Sequence, residues 1–251
     1  MLSAEILKLR RNRPLMAFSA LLTVGSLVLM FGYSAIDHAT NAALNPPAGG
    51  NLGFDHAVRM LGLLFGVLAA ALIGTEAGTA DIASGVFRDL VATGRSRLAL
   101  FAFRAPAAIL VALAFDAAAL AITLPVSFLL AGGTPTPSLS VILESAGWIA
   151  LSTVLTATVA AGVGSLTGSR AVTLTGVIGW LAVATPILVN VSTLGTVRAG
   201  LLTVSLSSLM PVSGGLGSGI AVSTAAAVAV LAVWLAVPTA VGAWQTATRD
   251  A

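Results

Sequence analysis

Long uncharged apolar runs, separated by short polar stretches, dominate this chain of 251 residues. A helix crosses the hydrocarbon core of a bilayer in about 20 residues. The longest run, residues 199–248, has 50 residues without a charge. As one helix it would measure roughly 75 Å, so Pro211 and the glycine-rich residues 213–219 are expected to divide it. We therefore predict an all-α, polytopic membrane protein, a single domain over 1–251, with six transmembrane helices at about 14–36, 57–78, 100–131, 145–168, 171–192 and 220–243.

The part of the longest run that precedes Pro211, residues 199–210, is too short to cross a bilayer. We predict that it forms a re-entrant or interfacial helix on the side where the fifth span exits. If it did span the membrane, Arg249 would move to the outer side.

The N-terminal segment, residues 1–13, predicts an amphipathic helix that lies on the inner leaflet before Pro14 turns the chain into the membrane. The alternative is a disordered basic tail that serves only to orient the protein. Apolar and charged positions fall on different faces of this helix: Leu2, Ile6 and Leu9 are apolar, and Glu5, Lys8 and Arg11 are charged.

Composition supports a membrane protein. Hydrophobic residues make up 57% of the chain and charged residues only 8%, whereas about a quarter of a soluble domain is charged. The net charge is only +3, with the basic residues in short clusters between spans, so nucleic acid is not an expected partner. No cleavable signal peptide is expected, because the first apolar run is too long for one.

The distribution of Lys and Arg predicts the orientation. With the N-terminus inside, ten of the 12 Lys and Arg residues lie on the inner side. Only Arg59 and Arg198 lie on the outer side. This bias indicates a multi-pass protein of the cell membrane with both termini in the cytoplasm.

The residue inventory excludes several kinds of chemistry. Lys8 is the only lysine and lies in no glycine-rich loop, so a Walker A motif is absent and any ATP must be bound by another chain. The chain has no cysteine, and its histidines, His38 and His56, fall in one outer loop. A zinc site formed with Asp37 and Asp55 is conceivable there, but HExxH spacing is absent. We therefore predict neither an enzyme nor a protein with its own cofactor or metal.

Asp116 and Glu76 are the candidate pathway or structural charges. Asp116 lies near the middle of the third span, where an ionised carboxylate is costly unless it is paired or hydrated. Either it faces substrate or links helices, or the helix is shifted so that Asp116 approaches the inner headgroups. Glu76 lies at the inner end of the second span. Glycines at GxxxG or similar spacing, which favour tight helix packing, are Gly62, Gly66, Gly162, Gly164 and Gly168.

The loop between the second and third spans, residues 82–95, predicts a short amphipathic helix on the cytoplasmic side. Its apolar residues recur at helical spacing, with Arg88 and Asp89 opposite, and Gly85 and Gly94 bracket it. The alternative is a connector that lies among the lipid headgroups. The apolar residues are Ile82, Val86, Phe87, Leu90 and Val91.

The chain resembles the permeases of type-2 ABC transporters, which include drug, polysaccharide and bacteriocin-immunity exporters. One part of the resemblance is Glu76, followed by a small-residue stretch and then GVFRDLVATGRSR. Glu5, Lys8 and Arg11 are similar to the E-x-x-K-x-x-R of that family's elbow helix. The six-span layout and the interrupted segment before the sixth span extend the resemblance over the whole chain.

The resemblance implies that two permeases pair and that each docks a separate ATPase, which binds the ATP, through the loop helix. Phe87 and Leu90 would be buried contacts of this coupling helix, and Arg88 and Asp89 its rim charges. The elbow helix would brace it. The coupling residues so implied are Val86, Phe87, Arg88, Asp89, Leu90 and Arg95.

The expected function is export of a hydrophobic or amphipathic substrate, driven by that ATPase. One alternative is a stand-alone secondary transporter or channel with Asp116 as its ion-coupling group, although residues 1–130 and 131–251 show no internal repeat. Another is a membrane scaffold or immunity protein that transports nothing.

Overall fold

The computed structural model describes residues 1–94, 96–212 and 220–248. In these ranges every regular element is a helix, and six helices are long and apolar enough to cross a membrane, which confirms the predicted all-α polytopic architecture. In chain order, the spans are Arg13–Thr40, Gly50–Ala83, Arg97–Leu129, Leu139–Thr167, Arg170–Asn190 and Thr224–Thr248.

Several spans extend beyond the predicted bounds. The second begins at Gly50 rather than near residue 57, ends at Ala83 rather than residue 78, and has 34 residues. A helix of that length measures roughly 51 Å, well beyond the hydrocarbon core of about 30 Å. The prediction ended spans near charges such as Arg59, whereas the helix continues through them. The sixth span starts later than predicted, at Thr224.

Three shorter elements lie between or before the spans. The elbow helix, Leu2–Arg11, ends at Asn12, whose side chain caps the first span by accepting a hydrogen bond from the Leu15 amide at 3.2 Å. The loop helix, Val86–Ala92, follows Gly85, whose φ of +77° favours glycine. A 3-10 segment, Ser192–Gly200, leads into a short helix, Leu202–Ser208.

The second and fourth spans form the centre of the bundle. Small residues let their backbones approach: Gly74 faces Ala157, and Gly78 faces Ala161. The buried share of the most apolar stretch is 61% in the second span and 72% in the fourth. It is 17% in both the fifth and the sixth. The last two spans are therefore peripheral in the single chain.

Four of the glycines singled out from sequence lie close to other helices: Gly62, Gly66, Gly162 and Gly164. The ring of Trp148 on the fourth span covers Gly62. Gly162 packs against Pro238 and Gly242 of the sixth span. Gly62 and Gly162 thus support close packing between helices within this chain, whereas Gly168 ends the fourth span with a φ of +67°.

The segment before the sixth span is a short helix rather than a span, as predicted. Leu202 and Leu206 pack with Leu155 of the fourth span and Leu231 of the sixth. The indole of Trp148 donates a hydrogen bond to the Leu206 carbonyl at 2.8 Å. The predicted break at residues 213–219 lies outside the described residues.

Candidate functional site: a charge network beneath the loop helix

Asp81 is the centre of an ion-pair network at the predicted inner end of the bundle. Both of its carboxylate oxygens accept hydrogen bonds from the Lys8 ammonium, at 2.9 and 3.0 Å. The Arg104 guanidinium also donates to it, at 3.3 Å. Lys8 in turn pairs with Glu5 at 2.5 Å. Two acidic and two basic groups thus join the elbow helix to the second and third spans without excess charge.

Local structure brings these groups together. Asp81 lies in the last turn of the second span, and Arg104 lies two turns into the third. The elbow helix lies against both spans because Leu9 is buried in a core cluster with Ala77 and Ala108. Lys8, adjacent to Leu9, therefore reaches Asp81.

Arg104 is a buried cation, only 1% exposed. Its Nε and Nη1 atoms have no hydrogen-bond partner among the described residues. Its guanidinium carbon lies 5.5 Å from the centroid of the Phe87 ring, within the range of a cation–π contact. Burial of a cation is costly, and the Asp81 carboxylate and the Phe87 ring compensate part of that cost.

Phe87 therefore attaches the loop helix to the membrane-spanning helices. It is 4% exposed, and its ring lies against Arg104 of the same chain. The resemblance had implied that Phe87 is a buried contact with the ATPase, whereas the single chain already buries it. The surface of the loop helix consists instead of exposed Val86, Arg88 and Asp89 with half-buried Leu90. Arg95 lies outside the described residues.

Glu76 is the centre of a second, neighbouring network. It accepts a hydrogen bond from the Asn12 amide at 2.8 Å and pairs with Arg170 at 3.2 Å. Glu76 thus ties the junction after the elbow helix to the start of the fifth span. Arg11, the remaining elbow residue named from sequence, is exposed.

Asp116 links the third and fourth spans. It is 4% exposed and accepts a hydrogen bond from the Thr153 hydroxyl at 2.5 Å. It is also close to Gly66 of the second span. The third span starts at Arg97, which lies roughly 28 Å away along the helix axis. Asp116 thus contacts two neighbouring helices, and its distance from the inner headgroups stays a prediction.

The loop between the first and second spans is held by its own hydrogen bonds. The His38 Nδ1 atom lies 2.8 Å from the Asn45 carbonyl oxygen. Across the described residues, no group of three or more His, Cys, Asp or Glu side chains could hold a metal ion.

Sequence reasoning identified Lys8, Glu76 and Asp116 but not the partners that the structure gives them, which are Asp81 for Lys8, Asn12 and Arg170 for Glu76, and Thr153 for Asp116. It also did not identify the pair of Asp81 with Arg104. Arg104 entered only as an orientation signal. Charges near a predicted helix end are usually solvated, so their position alone gave no reason to pair Asp81 with Arg104. The sequence held one indication of this pair: Asp81 and Arg104 lie near the ends of two spans that flank the same short loop.

No family model, curated protein or solved structure matches this chain. The fold itself defines the class: a polytopic all-α membrane protein with a surface helix anchored to a buried charge network.

Proposed function

We propose that this chain is the permease subunit of an ABC exporter and is driven by a separate ATPase subunit. The observation that carries the proposal is the anchoring of the loop helix: Phe87 lies on Arg104, which pairs with Asp81, which pairs with Lys8. A helix that only lay among lipid headgroups would need no such connection.

The network supports transmission of a mechanical movement. An ATPase that binds the exposed side chains of Val86 and Arg88 would displace the loop helix. Arg95, in the same loop, is a further proposed contact. Phe87 would pass that displacement to Arg104 on the third span, and Asp81 would pass it to the second span and the elbow helix. Since two acids and two bases are paired there, the elements are expected to move as a unit.

The proposed partners are the ATPase, a second permease of the same or similar sequence, and the bilayer. The peripheral fifth and sixth spans leave apolar surface for such a second copy or for lipid. The low charge content of the spans favours a hydrophobic or amphipathic cargo.

The test is purification of the tagged full-length chain from its own cells in mild detergent. We expect a subunit with a Walker A motif to co-purify and the complex to hydrolyse ATP. The double variant Val86→Glu, Arg88→Glu places acidic groups on the exposed face, so retention of the ATPase should fall by about tenfold or more.

The matched control is the double variant Leu7→Glu, Arg10→Glu. Leu7 and Arg10 are exposed on the elbow helix, and the change in charge is the same. It should retain the ATPase. Equal retention by both double variants, or a purified wild-type chain without any ATPase, would contradict the proposal.

One observation favours a second candidate, a stand-alone secondary transporter. Asp116 is a buried carboxylate that accepts a hydrogen bond from the Thr153 hydroxyl. Such a group inside a membrane is suited to bind and release a proton.

The two candidates differ in vesicles without ATP. A secondary transporter should move protons into proteoliposomes that contain a pH-sensitive dye, and Asp116→Asn should abolish that flux. An ABC permease should show no flux in either form. Proton flux in the wild type that Asp116→Asn removes would favour the second candidate.

A further inference from the structure

Three arginines lie within four residues where the elbow helix meets the first span: Arg10, Arg11 and Arg13. All three are exposed, and none forms an ion pair with a described residue. The carboxylates of the two charge networks at this end of the bundle pair with other cations instead. We call these three residues the basic junction. It presents three positive charges that the described part of the chain leaves unbalanced.

The first span continues from the basic junction with an exposed apolar face. Pro14, Ala17, Phe18 and Leu21 are exposed and recur at i, i+3, i+4 and i+7, so they share one side of the helix. Leu15, on the other side, is buried in the core cluster that also holds the elbow helix. The exposed face is the surface that this span turns towards lipid.

The depth of each group follows from the length of the span. The first span has 28 residues and measures roughly 42 Å, which exceeds a hydrocarbon core of about 30 Å. Arg13, its first residue, therefore lies at the level of the headgroups. Phe18 and Leu21 lie roughly 8 and 12 Å further along the axis, at the level of the acyl chains. A phospholipid has the same order of groups, with a phosphate at the interface and apolar chains beneath it.

Helix stability does not account for the whole basic junction. Arg10 and Arg11 lie in the last turn of the elbow helix, where a cation is favourable to the helix dipole. Arg13 is the first residue of the next helix, where the dipole disfavours a cation. A role in orienting the chain during insertion also leaves the three charges exposed in the folded protein. An anionic group that approaches from the membrane would balance them.

We propose that the basic junction and the apolar face beneath it bind an anionic phospholipid. The phosphate accepts hydrogen bonds from the guanidinium groups, which suit phosphate because they donate in pairs. The acyl chains lie along Phe18 and Leu21. A zwitterionic headgroup carries its own cation, which the arginines repel, so the surface prefers a headgroup with a net negative charge. The inference stands apart from the proposed function, because it depends on neither an ATPase nor the loop helix.

The test is native mass spectrometry of the full-length protein after equilibration with equal amounts of phosphatidylglycerol and phosphatidylcholine that carry the same acyl chains. We expect the wild type to retain more phosphatidylglycerol. Arg13→Gln should lower the ratio of retained phosphatidylglycerol to phosphatidylcholine about fivefold, the contribution of one basic residue near an anionic surface. The triple variant Arg10→Gln, Arg11→Gln, Arg13→Gln should lower it further.

Two control variants separate the basic junction from charge in general. The triple variant Arg10→Lys, Arg11→Lys, Arg13→Lys keeps the charge and the orientation signal, so it should keep most of the preference. Arg88→Gln removes an exposed arginine from the loop helix at the same end of the bundle. It should leave the ratio unchanged, because Asp89 beside it already offsets its charge.

Photolabelling of the wild type in nanodiscs tests the location. Phosphatidylglycerol with a diazirine in its acyl chain should label the first span between residues 14 and 25, and unlabelled phosphatidylglycerol should suppress this labelling better than phosphatidylcholine does. Equal retention of the two lipids by the wild type, an unchanged ratio in Arg13→Gln and in the triple Gln variant, or labelling spread evenly over the six spans would overturn the inference. Displacement of the lipid by millimolar inorganic phosphate at constant ionic strength would identify a site for free phosphate and would overturn it too.

Discussion

Asp81 has two partners of opposite charge in the network beneath the loop helix. It accepts from Lys8 and from Arg104, and the guanidinium of Arg104 is almost fully buried. A cation in that position depends on the carboxylate, because removal of one partner of a buried pair leaves an uncompensated charge.

We expect Asp81→Leu to destabilise the protein by about 3–5 kcal/mol. The double variant Asp81→Leu, Arg104→Met removes the buried charge as well as its partner and should recover much of that loss. Unfolding by denaturant in detergent micelles measures both values.

The control for this pair is Asp89→Leu. Asp89 is exposed on the loop helix, so its replacement should change stability by no more than about 0.5 kcal/mol. A double variant as unstable as Asp81→Leu would show that Arg104 is not the group that needs the carboxylate.

At the level of helices, contact between the second and fourth spans depends on small residues at one face. A Cβ on Gly74 would lie too close to the backbone of Ala157, and one on Gly78 too close to that of Ala161. The two backbones therefore approach as closely as in other small-xxx-small pairs.

We expect Gly74→Ala to cost about 1–3 kcal/mol, because backbone atoms cannot move aside as a flexible side chain can. Gly147→Ala is the matched control on the fourth span, since no atom lies within 4 Å of its Cβ position. There the change should be neutral or stabilise the helix by up to about 1 kcal/mol. Unfolding in mixed micelles titrated with SDS compares the two, and equal effects would rule out this contact as the cause.

At the level of the whole molecule, the described loops fall into two groups. The loop helix, the start of the elbow helix and the junction after Thr167 are at one end of the bundle, and the loops after Thr40 and Leu129 are at the other. The excess of Lys and Arg in the first group favours a cytoplasmic location for it.

This orientation is testable because the natural chain has no cysteine. In intact cells, a membrane-impermeant maleimide should label Asn41→Cys and Thr136→Cys. Thr93→Cys should react only after the cells are permeabilised. All three positions are exposed, so burial does not explain a difference. Labelling of Thr93→Cys in intact cells would place the loop helix outside and contradict both the orientation and the proposed coupling to an ATPase.

Much of the fold could be predicted from local pattern. Uncharged runs predicted six spans, and the spacing of Phe87 and Leu90 between two glycines predicted the loop helix that the structure has at Val86–Ala92. Such features depend on consecutive residues, because helix formation and transfer into a bilayer are decided over one or a few turns.

Which polar side chains pair with each other depended on tertiary structure. Asp81 and Arg104 are 23 residues apart, and Asp116 and Thr153 are 37 apart. Periodicity shows which residues share a face of one helix, but it does not show which face of another helix lies opposite. That choice follows from the close packing of small residues such as Gly74 on Ala157. The sequence alone thus determined the helices and their number, whereas the packing of their faces determined the charge network and the inward position of Phe87.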